Sequence, residues 1–479
     1  MAKPRRTDTR GVGLTPAMVA SRPDLCAWWL LGEKWHCARH IAFLVDHLID
    51  VATAENGRLV VVMPPRHGKS WMCSRFFPAW YLGMWPDRRV ILVSHGAEFA
   101  ARWGRAVRST LDDLKPIFGV ETARRSFAAH RWEIEGHRGG MTTAGIGGGI
   151  TGLGAELLII DDPVRDDLAA FSARQRARAW DWLQSVALTR LEPGGSALLI
   201  QTRWHEDDLA GRVIRNMKWP VLHLPAVCDT KDDPLGRKMG EPLWPEQWSA
   251  ESLEQMRKAR GSYWWSALYQ GRPAPITGGV FKQDFFRFWR RGPGGEVMLN
   301  DKVVKSMGVV STVDLALSVG SDADWTVIAT WGVTNDRNLI LLDIARVRCE
   351  GPDQPQLIAS VYEAHKPMFM AVEATAYQLS LVQTLRRNGI PVRAVRPDRD
   401  KMARAIHAAV VAESGRLWVP QDGIGQDFIE ELMLFPAGPH DDQVDALAMA
   451  VSLMDTMPKK PLRAVVPRQR MQRRSIIVK

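Results

Sequence analysis

The 479-residue chain contains little that would attach it to a membrane or indicate an oxidising compartment. No apolar run approaches the roughly 20 residues that a transmembrane helix requires, and no apolar signal core follows the basic start Met1–Arg10. The five cysteines lie far apart, so they provide neither the close pairs of a zinc site nor the even number of a disulfide framework. We therefore expect a soluble, intracellular protein with reduced thiols and no membrane partner.

Positive charge is unevenly distributed along the chain. The formal net charge is +10, yet Pro458–Lys479 carries eight basic residues and no acid, and Met1–Arg10 is also basic. The residues between these two ends are therefore nearly neutral. A basic tail can hold nucleic acid by releasing counterions, or it can act as a solvated terminus that keeps the protein soluble. The sequence leaves both interpretations open.

Apolar patterning in the first half predicts a doubly wound α/β domain. The chain is too long for one ordinary core, because domains usually contain about 100 to 200 residues. Short apolar segments alternate with amphipathic stretches, as expected for parallel strands that are covered on both faces. The predicted strands of this half are Leu59–Met63, Val90–Val93, Leu157–Ile160 and Ala197–Ile200.

A stretch rich in glycine and proline, Gly271–Gly295, interrupts this pattern and predicts a domain junction. Strands then resume, a helix is predicted at Gln356–His365, and a final helix at about Asp442–Met454 closes the second domain. The predicted strands of this half are Val309–Leu315, Thr326–Trp331, Leu339–Asp343, Phe369–Val372 and Val392–Val395.

The segment Pro64–Ser70 follows the first predicted strand and has the composition of a phosphate-binding loop. Where such a loop opens a helix, backbone N–H groups and the helix dipole face an anion. Lys69 would then reach the β and γ phosphates of ATP, and the Ser70 hydroxyl would bind Mg²⁺. The usual pattern has glycine at the position of Met63, so the match is to a variant. The residues predicted to contact the nucleotide are Arg66, His67, Gly68, Lys69, Ser70, Gln201 and Thr202.

Two acids follow the third predicted strand. Ligands bind at the carboxyl ends of strands in open α/β sheets, so Asp161 is expected near Mg²⁺, and Asp162 is expected to orient the attacking water as general base. Arg66 either stabilises charge on the γ phosphate, as an arginine finger does, or pairs with a nearby acid. Gln201 and Thr202 lie at the tip of a neighbouring strand, where a polar group can sense the γ phosphate.

Carboxylates in the second half predict a second metal site. Asp314 and Glu373 lie in apolar strand segments, where an unpaired charge is costly unless it binds a metal or another cation. Asp442 and Asp445 share one face of the final helix, because residues three apart are neighbours there. Asp441 either caps this helix or shares a metal. Oxygen ligands favour Mg²⁺ or Mn²⁺, and two such ions about 4 Å apart can cleave a phosphodiester.

The candidate residues therefore fall into two groups. The predicted catalytic residues are Arg66, Lys69, Asp161, Asp162, Asp314, Glu373 and Asp442. The predicted metal ligands are Ser70, Asp161, Asp314, Glu373, Asp441, Asp442 and Asp445.

With both sites in view, the chain resembles the large terminase subunits of tailed bacteriophages from about Trp35 to Met454. The matching segments are Pro65–Ser70, Ile150–Gly152, Leu158–Pro163, Tyr269–Pro273 and His440–Ala446. The resemblance implies an α/β chain in which a P-loop (ASCE, RecA-like) ATPase domain precedes an RNase H-like nuclease domain. Many members have glutamate after the first strand-end acid, where this chain has Asp162. The identity of the base therefore stays open, with Glu156 as another candidate.

The same resemblance implies a function and partners. The ATPase domain would drive double-stranded DNA into a procapsid with ATP and Mg²⁺, and the nuclease domain would cut concatemeric DNA with Mg²⁺ or Mn²⁺. Implied partners are a small terminase subunit, the portal protein of the procapsid and further copies of the chain in a ring. We expect the protein in the host cytoplasm and not in the mature virion.

The predicted domain map has five parts: a basic arm at 1–24, the ATPase domain at 25–270, a linker at 271–305, the nuclease domain at 306–456 and a basic tail at 457–479. Two alternatives remain at this point. A helicase-nuclease of DNA repair or recombination would share both sites, although no second RecA-like unit is evident between Ser196 and the linker. A non-enzymatic DNA-binding scaffold is disfavoured because Lys69, Asp161, Asp314 and Glu373 are all intact.

Overall fold

A computed structural model describes residues 13–123, 128, 130–273, 279–315, 325–373, 378–396, 400–438 and 440–457. The chain divides into two compact units, Met1–Ala274 and Pro275–Lys479, and this division falls within residues 271–305. The basic tail from residue 458 and the first twelve residues of the basic arm lie outside the described residues. Within the described ranges, no helix is long and apolar enough to cross a membrane.

The first unit consists of a parallel sheet covered by helices. Its strands are β1 Arg58–Val62, β2 Arg89–Ser94, β3 Arg131–Glu133, β4 Gly140–Gly145, β5 Ala155–Asp161, β6 Leu191–Ile200 and β7 Val221–His223. Its helices are α1 Pro16–Ser21, α2 Pro23–Leu31, α3 Arg39–Thr53, α4 Lys69–Trp71, α5 Phe77–Met84, α6 Ala97–Asp113, α7 Lys115–Phe118, α8 Asp167–Phe171, α9 Ala173–Trp182, α10 Leu209–Arg212, α11 Ala250–Arg260 and α12 Ser262–Trp264. A π turn, Met72–Phe76, joins α4 to α5 without a break.

The seven strands lie in the order β3-β4-β2-β5-β6-β1-β7, and all neighbours are parallel except β3 and β4. The predicted strands of this half are central in the sheet, and their apolar side chains alternate between the two covering layers. Val61, Leu92 and Ile159 belong to one core cluster. Val60 and Leu158 belong to the cluster on the other face. Burial on both faces explains why these segments read as continuous apolar runs.

The second unit is a mixed sheet with helices. Its strands are β8 Arg287–Arg291, β9 Val297–Leu299, β10 Lys302–Val303, β11 Met307–Asp314, β12 Thr326–Thr334, β13 Leu339–Val347, β14 Met370–Glu373, β15 Val392–Val395 and β16 Leu417–Pro420. Its helices are α13 Gln354–His365, α14 Gln378–Arg387, α15 Lys401–Glu413, α16 Gly423–Leu434 and α17 Asp442–Thr456.

The nine strands lie in the order β10-β9-β8-β16-β13-β12-β11-β14-β15. The three long strands β11, β12 and β13 are antiparallel, and β14 and β15 continue the sheet parallel to β11. Helix α17 packs on β11 and β12. The Thr312 hydroxyl on β11 donates a hydrogen bond of 3.0 Å to the Ala446 carbonyl on α17. This contact fixes the first turn of α17 beside the end of β11.

Two predicted segments have more structure than expected. The stretch interpreted as a linker contains β8, β9 and β10, and Trp289 in β8 is buried and donates its indole N–H to the Leu341 carbonyl at 2.8 Å. Charged residues around Trp289 obscured the strand in the sequence, because four of the five residues of β8 are exposed and only Trp289 is buried. The basic arm is folded from α1 onward, where Val19 is fully buried and the Ala20 carbonyl accepts a hydrogen bond from Trp80.

Candidate functional sites

The phosphate-loop segment connects β1 to α4 at the carboxyl edge of the first sheet. Gly68 has φ +86°, and a Cβ there would lie 2.9 Å from Cδ1 of Ile41, so only glycine fits this position without a shift. Arg66 also has a positive φ of 63°, a region that non-glycine residues seldom adopt. The chain thus makes a tight turn that presents Lys69 and Ser70 at the start of a continuous helical segment.

Asp161 lies at the end of β5, two strands away from β1, and is fully buried. Its carboxylate accepts hydrogen bonds from the hydroxyls of Ser70 at 3.1 Å and Ser74 at 2.8 Å. Burial, followed by the neighbouring Asp162 carboxylate, raises the pKa of Asp161. The structure therefore brings together the two residues that were predicted as Mg²⁺ ligands, Ser70 and Asp161.

Asp162 faces the phosphate loop. Its Oδ2 lies 3.2 Å from the Lys69 ammonium, and its Oδ1 accepts a hydrogen bond of 2.8 Å from the Thr202 backbone N–H. Lys69 is only 5% exposed, so its charge needs this partner. The Asp162 backbone has a positive φ of 41°, which turns the side chain out of the strand direction. Lys69 and Asp162, two of the predicted catalytic residues, are thus adjacent.

His67 is placed differently from the other residues of the loop. Its ring is 1% exposed, its Nδ1 lies 2.8 Å from the Pro65 carbonyl, and it stacks on Trp248. Burial lowers the pKa of His67 to about 4, so the ring is neutral near pH 7. The His40 ring nitrogen lies 2.9 Å from the His67 carbonyl. The His67 side chain therefore packs against the protein and stabilises the loop. A phosphate contact at this residue would have to come from its backbone N–H.

Arg66 and Gln201 are two further predicted nucleotide-binding residues at the carboxyl edge of the first sheet. Arg66 is exposed, and within the described ranges it forms no ion pair, so the alternative of pairing with a nearby acid finds no contact there. Gln201 is 1% exposed, and its Oε1 accepts a hydrogen bond of 2.9 Å from the Ala210 N–H at α10. Its Nε2 is buried without a hydrogen-bond partner among the described residues. The Gln201 side chain thus links the strand end to α10.

The acids of the second unit also meet at a sheet edge. Val313 and Val372 are paired in the parallel strands β11 and β14, so the next residues, Asp314 and Glu373, leave the sheet side by side. Asp442 and Asp445 lie on the first turn of α17, and Asp442 accepts a hydrogen bond of 3.3 Å from the Trp325 N–H. Burial first, then the carboxylates of Asp445, Asp442 and Glu373, raise the pKa of Asp314 well above its usual value.

Two cations on α15 lie among these carboxylates. The Lys401 ammonium lies 2.6 Å from Oδ2 of Asp441 and 2.6 Å from Oδ2 of Asp445. The Arg404 guanidinium lies 3.1 Å from Oδ1 of Asp445 and 3.9 Å from Oε2 of Glu373. Of the two predicted roles of Asp441, capping finds no support, because its side chain makes no capping hydrogen bond and binds Lys401 instead.

The donor chemistry of this cluster fits a divalent cation. All donors are carboxylate oxygens, and the acids outnumber the two bases, so negative charge remains uncompensated around Asp314. In the structure, the carboxylates of Asp441, Asp445 and Glu373 form ion pairs with Lys401 and Arg404. Within the part of the chain that the structure describes, no three acidic or other ligating side chains are grouped around one ion position. Metal binding would therefore require a local exchange of partners.

Three contacts were missed at the sequence level. Ser74 lies one helical turn after Ser70, and the spacing of four residues was an available signal for a second hydroxyl facing Asp161. Lys401 and Arg404 are three residues apart on one helix, but nothing in the local pattern distinguishes them from an exposed basic face. Only the packing of α15 against α17 brings them to the acids.

The first unit thus has the residue types of a nucleotide-hydrolysing site and the second those of a metal-dependent nuclease site, the combination expected of an ATPase and nuclease enzyme. Residues 60–288 match the family model described as terminase large subunit, T4likevirus-type, N-terminal. Residues 311–453 match the model of the terminase RNaseH-like domain. The chain belongs to the family of phage large terminase subunits, and its second unit is RNase H-like. No curated protein matches the chain.

Solved structures similar to this chain include three phage proteins. A large terminase from a thermophilic bacteriophage, solved in complex with ADP, is 13% identical, with a TM-score of 0.46 over 85% of this chain and 98% of that one. The HK97 bacteriophage large terminase is 12% identical, with a TM-score of 0.32 over 86% and 94%. The large terminase nuclease from thermophilic phage G20c with bound magnesium is 18% identical, with a TM-score of 0.28 over 37% and 98%.

Proposed function

We propose that this chain hydrolyses ATP to move double-stranded DNA into a procapsid and cuts concatemeric DNA with a metal-dependent endonuclease site. The observation that carries the proposal is the presence of two separate strand-edge sites in one chain of the terminase family. In one, Lys69 lies against the Asp161–Asp162 pair. In the other, Asp314 is surrounded by Glu373, Asp442 and Asp445.

At the ATP site, each side chain has a role that follows from its present contact. Lys69 exchanges the Asp162 carboxylate for the β and γ phosphates, because both are anions within reach of the same ammonium. Ser70 and Asp161 would hold Mg²⁺, which would neutralise phosphate charge. Asp162, once released by Lys69, is oriented by the Thr202 N–H and accepts the proton of the attacking water.

The remaining predicted residues act around this centre. Backbone N–H groups of His67 and Gly68 face the phosphates at the helix start. Arg66 is exposed at the loop and would contact the γ phosphate. Gln201 connects the strand end to α10, so it transmits the state of the site to the neighbouring helix.

At the nuclease site, Asp314, Glu373 and Asp442 are the principal ligands, and Asp441 and Asp445 are further ligands at the helix start. The Mg²⁺ or Mn²⁺ ions they hold would supply water activation and stabilisation of the leaving oxygen in phosphodiester cleavage. Asp442 and Asp445 are mostly buried, and carboxylates shielded from water interact with a cation more strongly than those in bulk solvent.

The domain roles and partners are part of the same proposal. Residues 25–270 would carry the ATPase activity and residues 306–456 the nuclease activity, with 271–305 between them. The partners would be double-stranded DNA, a small terminase subunit, the portal protein and further copies of the chain in a ring. The site of action would be the cytoplasm of the phage host.

Packaging tests this proposal most directly. Purified chain, procapsids and linear double-stranded DNA are incubated with ATP, and DNA protected from added nuclease is measured. We expect protection with the wild-type chain and none with Lys69→Ala, with Lys115→Ala as an exposed-lysine control. ATP-dependent strand unwinding without any protected DNA would instead favour the helicase-nuclease alternative and would overturn the packaging role.

A further inference from the structure

The Lys401 ammonium lies between two carboxylates of the proposed nuclease site. It is 2.6 Å from one oxygen of Asp441 and 2.6 Å from one oxygen of Asp445, so a single positive charge joins two carboxylates. Both acids belong to the predicted ligand set, and Asp445 also contributes to the raised pKa of Asp314. Two of the predicted metal ligands are therefore engaged by a cation from the chain itself.

The ammonium of Lys401 is stabilised by the two carboxylates and not by the position of Lys401 in its helix. Lys401 is the first residue of α15, directly after the N-cap Asp400. The helix dipole disfavours a positive charge at this end. Burial alone would lower the pKa of Lys401, but hydrogen bonds to Asp441 and Asp445 outweigh that effect and raise it. The interaction with the two carboxylates thus determines the position of this ammonium.

Arg404, one turn further along α15, differs from Lys401 in its surroundings. Its side chain is 13% exposed and bridges Glu373 and Asp445, whereas the Lys401 side chain is 38% exposed. A planar guanidinium in a mostly buried position is costly to move, while a lysine has a flexible four-carbon stem and can carry its ammonium into water. Of the two cations, Lys401 is the one that can leave.

We propose that Lys401 is an exchangeable internal counter-ion of the nuclease site, which a divalent cation must displace from Asp441 and Asp445 in order to bind. The inference rests on the proposed nuclease function. It means that the apparent metal affinity is set by competition with this ammonium, whereas Arg404 remains in place in both states. Lys401 is a regulatory residue in this scheme and takes no part in bond cleavage.

The test measures metal binding, not cleavage. The full-length chain without nucleotide is titrated with MnCl₂ by calorimetry, and unfolding temperature is recorded in EDTA and in Mn²⁺. The variants are Lys401→Gln, the charge-retaining Lys401→Arg and Asp314→Asn. Lys366→Gln is the matched control, since Lys366 pairs with Glu363 and precedes the opposite end of β14.

We expect Lys401→Gln to bind Mn²⁺ about tenfold more tightly than the wild type, because removal of the competing ammonium frees a partly exposed pair of carboxylates. In EDTA, the unfolding temperature of the same variant should be lower than that of the wild type. Addition of Mn²⁺ should raise its unfolding temperature by more than it raises that of the wild type. Lys401→Arg and Lys366→Gln should keep the wild-type affinity. These results together would support the displacement scheme.

Two results would overturn the inference, and they are distinguishable. If the wild type binds Mn²⁺ and Asp314→Asn abolishes that binding, but Lys401→Gln binds with unchanged or weaker affinity, Lys401 does not compete with metal and the nuclease proposal stands. If the wild type shows no Asp314-dependent Mn²⁺ binding, the nuclease proposal itself fails and the inference fails with it.

Discussion

Asp161 in the first unit and Asp314 in the second both end a strand, and both have a carboxyl pKa that burial raises. Their neighbours differ. Asp161 accepts hydrogen bonds from two hydroxyls, and the nearest cation, Lys69, pairs with the adjacent Asp162. Around Asp314, the carboxylates of Glu373 and Asp445 pair with Arg404 and Lys401 from a separate helix.

The difference shows two ways to keep acids in place before a ligand arrives. At the ATP site, neutral hydroxyls donate to Asp161 and Lys69 pairs with Asp162, and this lysine is the one that we propose to bind phosphate. At the nuclease site, compensation is ionic and comes from residues outside the ligand set. We therefore expect the first site to respond mainly to loss of Lys69 and the second to respond to any change in its charge balance.

The largest expected effect is at the loop lysine. Lys69→Ala should lower DNA-stimulated ATP turnover by about a thousandfold, because it removes the charge that stabilises the transferring phosphoryl group. Phosphate release in a coupled assay provides the measurement, with Lys115→Ala as control. Retention of turnover within a few-fold of wild type would refute the assignment of the loop.

A smaller loss is expected at the acid that faces this lysine. Asp162→Asn should lower ATP turnover by about a hundredfold, the typical contribution of a general base. Asp162→Glu should recover part of the rate, since it restores a carboxylate at slightly longer reach. Glu156→Gln serves as the comparison, because that side chain binds Arg89. Loss in Glu156→Gln with normal turnover in Asp162→Asn would make Glu156 the base.

At the second site the corresponding test concerns stability. Arg404→Met should reduce the free energy of unfolding of the second unit by about 2 kcal/mol, because it leaves Glu373 and Asp445 without a mostly buried partner. Mn²⁺ should restore much of this loss. Urea unfolding with and without metal measures both quantities. A variant as stable as wild type in EDTA would show that the cluster does not depend on ionic compensation.

The smallest expected effect is an acid sensitivity of the phosphate-loop region. The folded pKa of His67 is about 4, below its usual 6.5, so the unfolded chain takes up a proton that the folded chain does not. The free energy of unfolding should therefore decrease by about 1 to 2 kcal/mol as the pH is lowered from 6.5 to 4. His67→Asn should flatten this part of the stability curve measured by thermal unfolding. An unchanged slope would mean that His67 does not titrate with unfolding.

Sequence reasoning identified the central strands and both groups of acids because these depend on local patterns. Strands β1, β2, β5 and β6 contain short apolar runs buried on both faces, and Asp161, Asp314 and Glu373 are the last residues of their strands. Strand β8, which lies between β9 and β16, was not identified, because only Trp289 of its five residues is buried.

The contacts between distant segments could not be predicted in the same way. Lys401 and Arg404 look like ordinary exposed helix residues until α15 is packed on α17. The stacking contact between His67 and Trp248 joins residues far apart in the sequence. Such pairings depend on tertiary packing, and periodicity within a single segment contains no information about them.

The measurement that tests the account most directly is a comparison of both activities in one preparation of Asp314→Asn and the wild type. Metal-dependent cleavage of plasmid DNA and ATP turnover are followed in parallel, with circular dichroism to verify folding. We predict that Asp314→Asn loses cleavage by at least about a hundredfold while its ATP turnover stays at the wild-type level. A folded variant that retains cleavage, or that loses both activities together, would contradict two separate sites.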